Sequence, residues 1–155
     1  MKYITTSSDA ETQNIAASLA KEALGKSLGT TGRVFALQGE LGAGKTTFAQ
    51  GFAKGLGIKE RVLSPTFLII KEFHIPESKQ GYTTFYHLDC YRVETSKEVQ
   101  DLNWKEIVSN PHHIVVVEWA ERIQDILPLD AVRVSFSLSS KENERDIHID
   151  KEYMQ

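Results

Sequence analysis

Eight consecutive residues constrain this chain more than any others. Gly39-Glu40-Leu41-Gly42-Ala43-Gly44-Lys45-Thr46 matches the spacing G-x-x-x-x-G-K-[ST] in full. The flanks match the same unit. Val34-Phe35-Ala36-Leu37 before it is a short continuous apolar run, as expected of a strand buried on both faces. After it, Phe48, Ala49, Phe52, Ala53 and Leu56 fall on one helical face, with Gly55 and Gly57 as stop signals. Each residue type in the motif has a chemical reason to be there. Glycines let the loop curl with successive N–H groups inward, and with the helix N-terminus they form a nest for phosphate oxygens. Lys45 would reach the terminal phosphates, and Thr46 would offer a hydroxyl to Mg²⁺, a cation that needs few protein oxygens. Composition alone would produce the pattern in roughly one chain in 200 of this length, so a plain glycine turn is the poorer explanation.

The rest of the chain supplies partners for this strand–loop–helix unit. Ser8-Asp9-Ala10-Glu11 has capping-box spacing, and Ile15, Leu19, Ala23 and Leu24 recur at helical period until Gly25. Phe67-Leu68-Ile69-Ile70 and Tyr82-Thr83-Thr84-Phe85-Tyr86 predict a hairpin around the turn-like segment from Pro76 to Gly81. A helical stretch is expected around Val99 to Val108, followed by a buried strand, Ile114-Val115-Val116-Val117, that ends at Glu118. Alternation at Val132, Val134, Phe136 and Leu138, a turn at Ser139 to Asn143, and Ile147 and Ile149 predict two closing strands. Helices interleaved with buried strands predict an α/β fold, a three-layer P-loop NTPase sandwich with a mixed, partly parallel sheet. At 155 residues, the whole chain, 1–155, is expected to be a single domain.

Composition narrows the function classes. The formal charge of −3, from 18 Lys and Arg against 21 Asp and Glu, gives no general attraction to phosphate polymers or anionic lipid, so any nucleic-acid contact is expected to be local or borrowed. The single cysteine, Cys90, cannot close an intrachain disulfide, and Met1 to Thr6 lacks the apolar block of a signal peptide. A cytoplasmic location is expected. The longest apolar runs are strand-sized, far short of the roughly 20 residues that span a bilayer, so a membrane protein is not.

A phosphate site also needs a carboxylate for the metal or its water, and two acids end apolar strands: Glu118 and Asp89. Glu118 follows the more apolar run and is assigned to Mg²⁺. Asp89 would orient the attacking water or complete the metal shell; the alternative for either acid is to cap a helix or pair with Arg92. His87, two residues before Asp89, shares its strand face and is read equally as packing or as catalytic. His112-His113 is read as a turn, Cys90 as a core residue, and Trp104 and Trp119 as apolar anchors, with Trp119 also placed to stack on a base or a partner. Ser64-Pro65-Thr66 follows the loop helix as a strand-entry turn or a segment that senses the terminal phosphate.

Four segments in order resemble one family: Gly39 to Thr47, then Ser64-Pro65-Thr66-Phe67, then His87-Leu88-Asp89-Cys90-Tyr91-Arg92, then Val117-Glu118-Trp119. They are similar to the bacterial TsaE (YjeE) ATPases of tRNA threonylcarbamoyladenosine synthesis. The resemblance implies a phosphate cradle from Leu41, Gly42, Ala43, Gly44, Lys45, Thr46 and Thr47, with Thr46 and Glu118 binding Mg²⁺. It implies Lys45 and Asp89 as catalytic residues, Asp89 also lying at the ATP, and a switch-like Ser64 to Phe67. It further implies ATP hydrolysis in support of a TsaB–TsaD complex, which holds the tRNA and performs the transfer. The sequence departs from the family pattern at Glu40, where Asp is common, at Asn103, where Gly is usual, and in a longer Pro76 to Gly81 turn. Family base contacts come partly from the N-terminal segment and the tail, so Ser8 to Glu11 and Arg145 carry no assignment. A small-molecule kinase and a non-catalytic nucleotide-sensing adaptor are the alternatives; a GTP switch is disfavoured because Asn-Lys-x-Asp is absent.

Overall fold

The fold follows from how the apolar strands are sandwiched. It is described by a computed structural model covering residues 2–63 and 68–150. The strand before the glycine loop, β2 (Arg33–Gly39), lies between two parallel neighbours. One is β5 (His113–Glu118) and the other is β6 (Val132–Leu138). Beyond β5 comes β4 (Thr84–Asp89), also parallel. Antiparallel strands finish both sides: β3 (Ile70–His74) on β4, and β7 (Arg145–Ile149) on β6, with β1 (Lys2–Thr6) outermost on β7. The order is therefore β1-β7-β6-β2-β5-β4-β3, a mixed sheet with a parallel centre.

Continuous apolar sequence is required because both faces of the central strands are covered. Phe35, Leu37, Ile114 and Val116 face a layer formed by α1 (Asp9–Gly25) and α2 (Lys45–Gly55). Val34, Ala36, Val115 and Val117 face the opposite layer, built from α3 (Ser96–Gln100), α4 (Trp104–Ser109) and a 3₁₀ helix, Ala120–Ile126. The first layer is held by aromatic contacts: Phe35 and Phe85 both meet Phe52, at 4.8 and 6.0 Å between ring centres, and Phe48 meets Phe136 edge-on at 5.3 Å. Each fully buried Phe contributes about 1.5–3 kcal/mol. The helices α1 and α2 touch backbone to backbone, since a Cβ on Gly51 would lie 2.4 Å from the Gln13 Cα and one on Gly55 would lie 2.5 Å from the Ala17 carbonyl oxygen.

The expected three layers and mixed sheet are present, with local corrections. The first strand of the hairpin is Ile70–His74, later than Phe67 to Ile70; Leu68 is exposed, and Phe67 lies outside the described residues. The helix expected around Val99 to Val108 is two short helices, broken where Asn103 adopts φ of 61°. A left-handed residue cannot continue a right-handed helix, and Asn tolerates it next best to Gly. The Ser8 hydroxyl caps α1 by accepting from the Glu11 N–H, but the Glu11 carboxylate reaches back to Ser7 rather than to Ser8. Among the described residues, no helix is long and apolar enough to cross a membrane.

Candidate functional site

Three strands deliver their last residues to one edge. The register sets Leu37 of β2 beside Glu118 of β5, and Glu118 beside Asp89 of β4. This is the carboxyl edge of the parallel strands, where α/β sheets characteristically bind ligands. The glycine loop opens from β2 at the same edge. Gly39, at φ of 140°, passes so close to β6 that a Cβ there would lie 2.1 Å from the Phe136 carbonyl oxygen. Gly44, at φ of 105°, precedes α2 without a side-chain cap, so the first-turn N–H groups of α2 face the loop.

Lys45 and Thr46 open α2 into this space. Lys45 is buried, and its Nζ donates to the Gly39 and Glu40 carbonyls, both at 2.7 Å. The ammonium also sits 4.1 Å from the ring centre of Trp119, a cation–π contact. Burial lowers its pKa, opposed by the charges of Glu121, Glu118, Asp89 and Glu40. The Thr46 hydroxyl donates to Glu118 Oε1 at 2.7 Å, and Glu118 Oε2 lies 2.5 Å from His87 Nε2. Glu118 and His87 are both buried. Asp89 is half-buried and accepts from the Tyr91 N–H at 3.0 Å.

A cavity of about 310 Å³ gathers these groups, lined by Leu41, Gly42, Gly44, Lys45, Thr46, Thr47, Asp89, Glu118 and Trp119. Ala43 is the member of the expected cradle whose side chain turns away, into the core under α2. Ser64 to Phe67 lies outside the described residues. His112 lies in the expected turn, its Nδ1 at the Gly81 carbonyl, whereas His113 opens β5 instead, its Nδ1 at the Ile107 carbonyl. Trp104 packs in the second layer with its Nε1 donating to the Ile126 carbonyl. Cys90 is buried, which pushes its thiol pKa up to about 12 with help from the charges of Asp89 and Glu118.

Sequence reasoning missed several residues at this edge. Glu121 Oε2 accepts from the Gly39 N–H at 3.2 Å, tying the 3₁₀ helix to the start of the loop. Tyr91 lines the cavity and leans on Trp119, 5.1 Å between ring centres, with the Arg122 guanidinium near both rings. Asp9 and Arg145 complete the wall, and Arg145 Nε donates to the Gly42 carbonyl at 3.1 Å. Spacing could not reveal Asp9, Glu121, Arg122 and Arg145, which arrive from other elements, and Tyr91, two residues after Asp89, carries no chemical signal of its own. Among the described residues, no group of three or more His, Cys, Asp and Glu side chains could hold a metal ion unaided. The donors here are instead a hydroxyl and a carboxylate, a set that suits Mg²⁺ when phosphate oxygens and waters supply the other ligands.

Comparison with known proteins converges on one family. The family model described as "Threonylcarbamoyl adenosine biosynthesis protein TsaE" matches residues 6–147. The tRNA threonylcarbamoyladenosine biosynthesis protein TsaE of Bacillus subtilis (strain 168) is 42% identical over 116 residues, 75% of this chain and 68% of that protein. Its namesake in Treponema pallidum (strain Nichols) is 38% identical over 112 residues, 72% and 78%. The one in Nostoc sp. is 47% identical over 104 residues, 64% of this chain and 59% of that protein. Among solved structures, Bacillus subtilis YdiB superposes with a TM-score of 0.68 at 29% identity, over 99% of this chain and 88% of that one.

Proposed function

The chain belongs to the TsaE family of threonylcarbamoyl adenosine biosynthesis proteins, and on that premise we propose that it binds ATP with Mg²⁺ and hydrolyses it in support of tRNA threonylcarbamoyladenosine modification. The whole chain acts in the cytoplasm as one ATPase domain. It works with a TsaB–TsaD-like complex that holds the tRNA, which suits a net charge of −3.

The observation that carries this reading is the Thr46 hydroxyl 2.7 Å from Glu118, at the mouth of the same glycine loop that carries Lys45. The loop N–H groups and the start of α2 receive phosphate oxygens, and Lys45 neutralises the terminal phosphates. Glu40, Asp89, Glu118 and Glu121 all act on Lys45 electrostatically, and a polyanion beside four carboxylates calls for a divalent cation. Thr46 and Glu118 would hold Mg²⁺, whose charge would offset that of the phosphates. Asp89, across from Glu118, orients the attacking water. The test is calorimetric titration with ATP, with and without Mg²⁺. Lys45→Ala should abolish tight binding in a domain that remains folded, and an unchanged affinity would reject the phosphate-loop reading.

A further inference from the structure

Glu118 is gripped from two directions. Oε1 accepts from Thr46 at the cavity, while Oε2 faces His87 Nε2 at 2.5 Å in the interior. His87 has no exposed surface, and its Nδ1 finds no hydrogen-bond partner among the described residues. An apolar side chain would fill that position in β4 without leaving a buried polar atom unpaired. The imidazole is therefore committed to a single partner. A carboxylate only accepts, so Nε2 carries the proton and donates it to Oε2.

We propose that His87 makes Glu118 a one-oxygen acid and thereby sets a preference for Mg²⁺ over Ca²⁺, an inference that rests on the reading of Thr46 and Glu118 as the metal-binding pair. Mg²⁺ demands near-octahedral geometry and is satisfied by one carboxylate oxygen. Ca²⁺ takes six to eight oxygens and gains from a bidentate carboxylate. At Glu118 the second oxygen is turned inward, toward the fully buried His87 and away from the cavity. Presenting both oxygens to a cation in the cavity would turn the inner one away from His87 and strand a buried N–H, a cost that one-oxygen binding of Mg²⁺ escapes. His87 reaches no ligand itself; it is a positioning residue acting through Glu118.

The experiment titrates the full chain with a non-hydrolysable ATP analogue in Mg²⁺, in Ca²⁺ and in EDTA, alongside thermal melting. His87→Leu should lower the Mg²⁺:Ca²⁺ affinity ratio about tenfold, the lower end of the losses seen when groups supporting a metal ligand are removed. His87→Gln, whose amide N–H stands where Nε2 does, should restore most of the ratio, whereas His87→Asn, whose amide mimics Nδ1, should not. An unchanged ratio in folded His87→Leu overturns the proposal. If that variant does not fold, equal ratios for the Gln and Asn variants overturn it instead. Glu118→Gln tests the metal site separately: undiminished Mg²⁺ dependence there removes the metal reading, and this proposal with it, whatever the His87 variants do.

Discussion

Lys45 shows how much one side chain depends on its surroundings. Burial works against its charge, while four carboxylates and two carbonyl oxygens favour it. Two of those acids should differ in role. Glu118→Ala is expected to weaken Mg²⁺-dependent nucleotide binding tenfold or more, because a metal-holding group acts in the ground state. Asp89→Ala should spare binding and slow hydrolysis, because a group that orients water acts mainly in the transition state. Binding titrations paired with single-turnover hydrolysis separate the two, and the reverse pattern would exchange the assignments. Cys90 gives a pH-dependent prediction. With its pKa raised to about 12, only about one thiol in 10⁴ is ionised at pH 8, and reaction requires the thiolate. Ellman's reagent should therefore react with the native protein far more slowly than with urea-unfolded chain at the same pH, and comparable rates would contradict the burial of this thiol. Much at this scale was legible beforehand. That Lys45, Thr46, Asp89 and Glu118 meet at one cavity is readable because a local motif or a strand end marks each one. Glu121 was not, since its contact with the Gly39 N–H spans 82 residues and leaves no local trace.

Among the elements, α2 carries the loop's two chemical residues and is placed by its glycines. Gly51→Ala or Gly55→Ala would gain about 1 kcal/mol of intrinsic helix propensity. Against this, an added Cβ would lie only 2.4 to 2.5 Å from atoms of the α1 backbone, which cannot rotate away. The overlap should win, with a net loss of about 2 kcal/mol in urea unfolding and weaker ATP binding as α2 is pushed outward. Unchanged stability would mean that the helices separate at little cost. The elements that sequence patterns placed well, β2, β5 and α2, are buried along most of their length, so their periodicity reports the core directly. The misplaced β3 and the unforeseen β1 lie where burial is one-sided or brief. In β3 only Phe73 is buried, and in β1 only Thr6, too little for alternation to register. The break between α3 and α4 is a three-residue turn, 101–103, that ends in the left-handed Asn103.

For the whole molecule, we expect slow ATP hydrolysis alone and acceleration when a TsaB–TsaD-like complex is added. Among the described residues, no arginine other than Arg145 lines the candidate cavity, and Arg145 is tied to carbonyls of Gly42, Glu142 and Glu144. A missing arginine finger can cost on the order of 10³ to 10⁵ in rate, which a partner surface could restore. Steady-state ATPase of the chain alone, with tRNA, and with the partner complex plus tRNA tests this; full turnover alone, unaltered by partners, would favour a free-standing enzyme. The outer half of the sheet has a consequence of another kind. Among the described residues, strand β1 pairs only with β7, Lys2 opposite Ile149 and Thr6 opposite Arg145. At ordinary rates of synthesis, roughly 10 to 30 s separate the emergence of these two strands from the ribosome. Strand β1 therefore waits for a partner made long after it, and a nascent chain stalled before residue 145 must carry β1 unpaired.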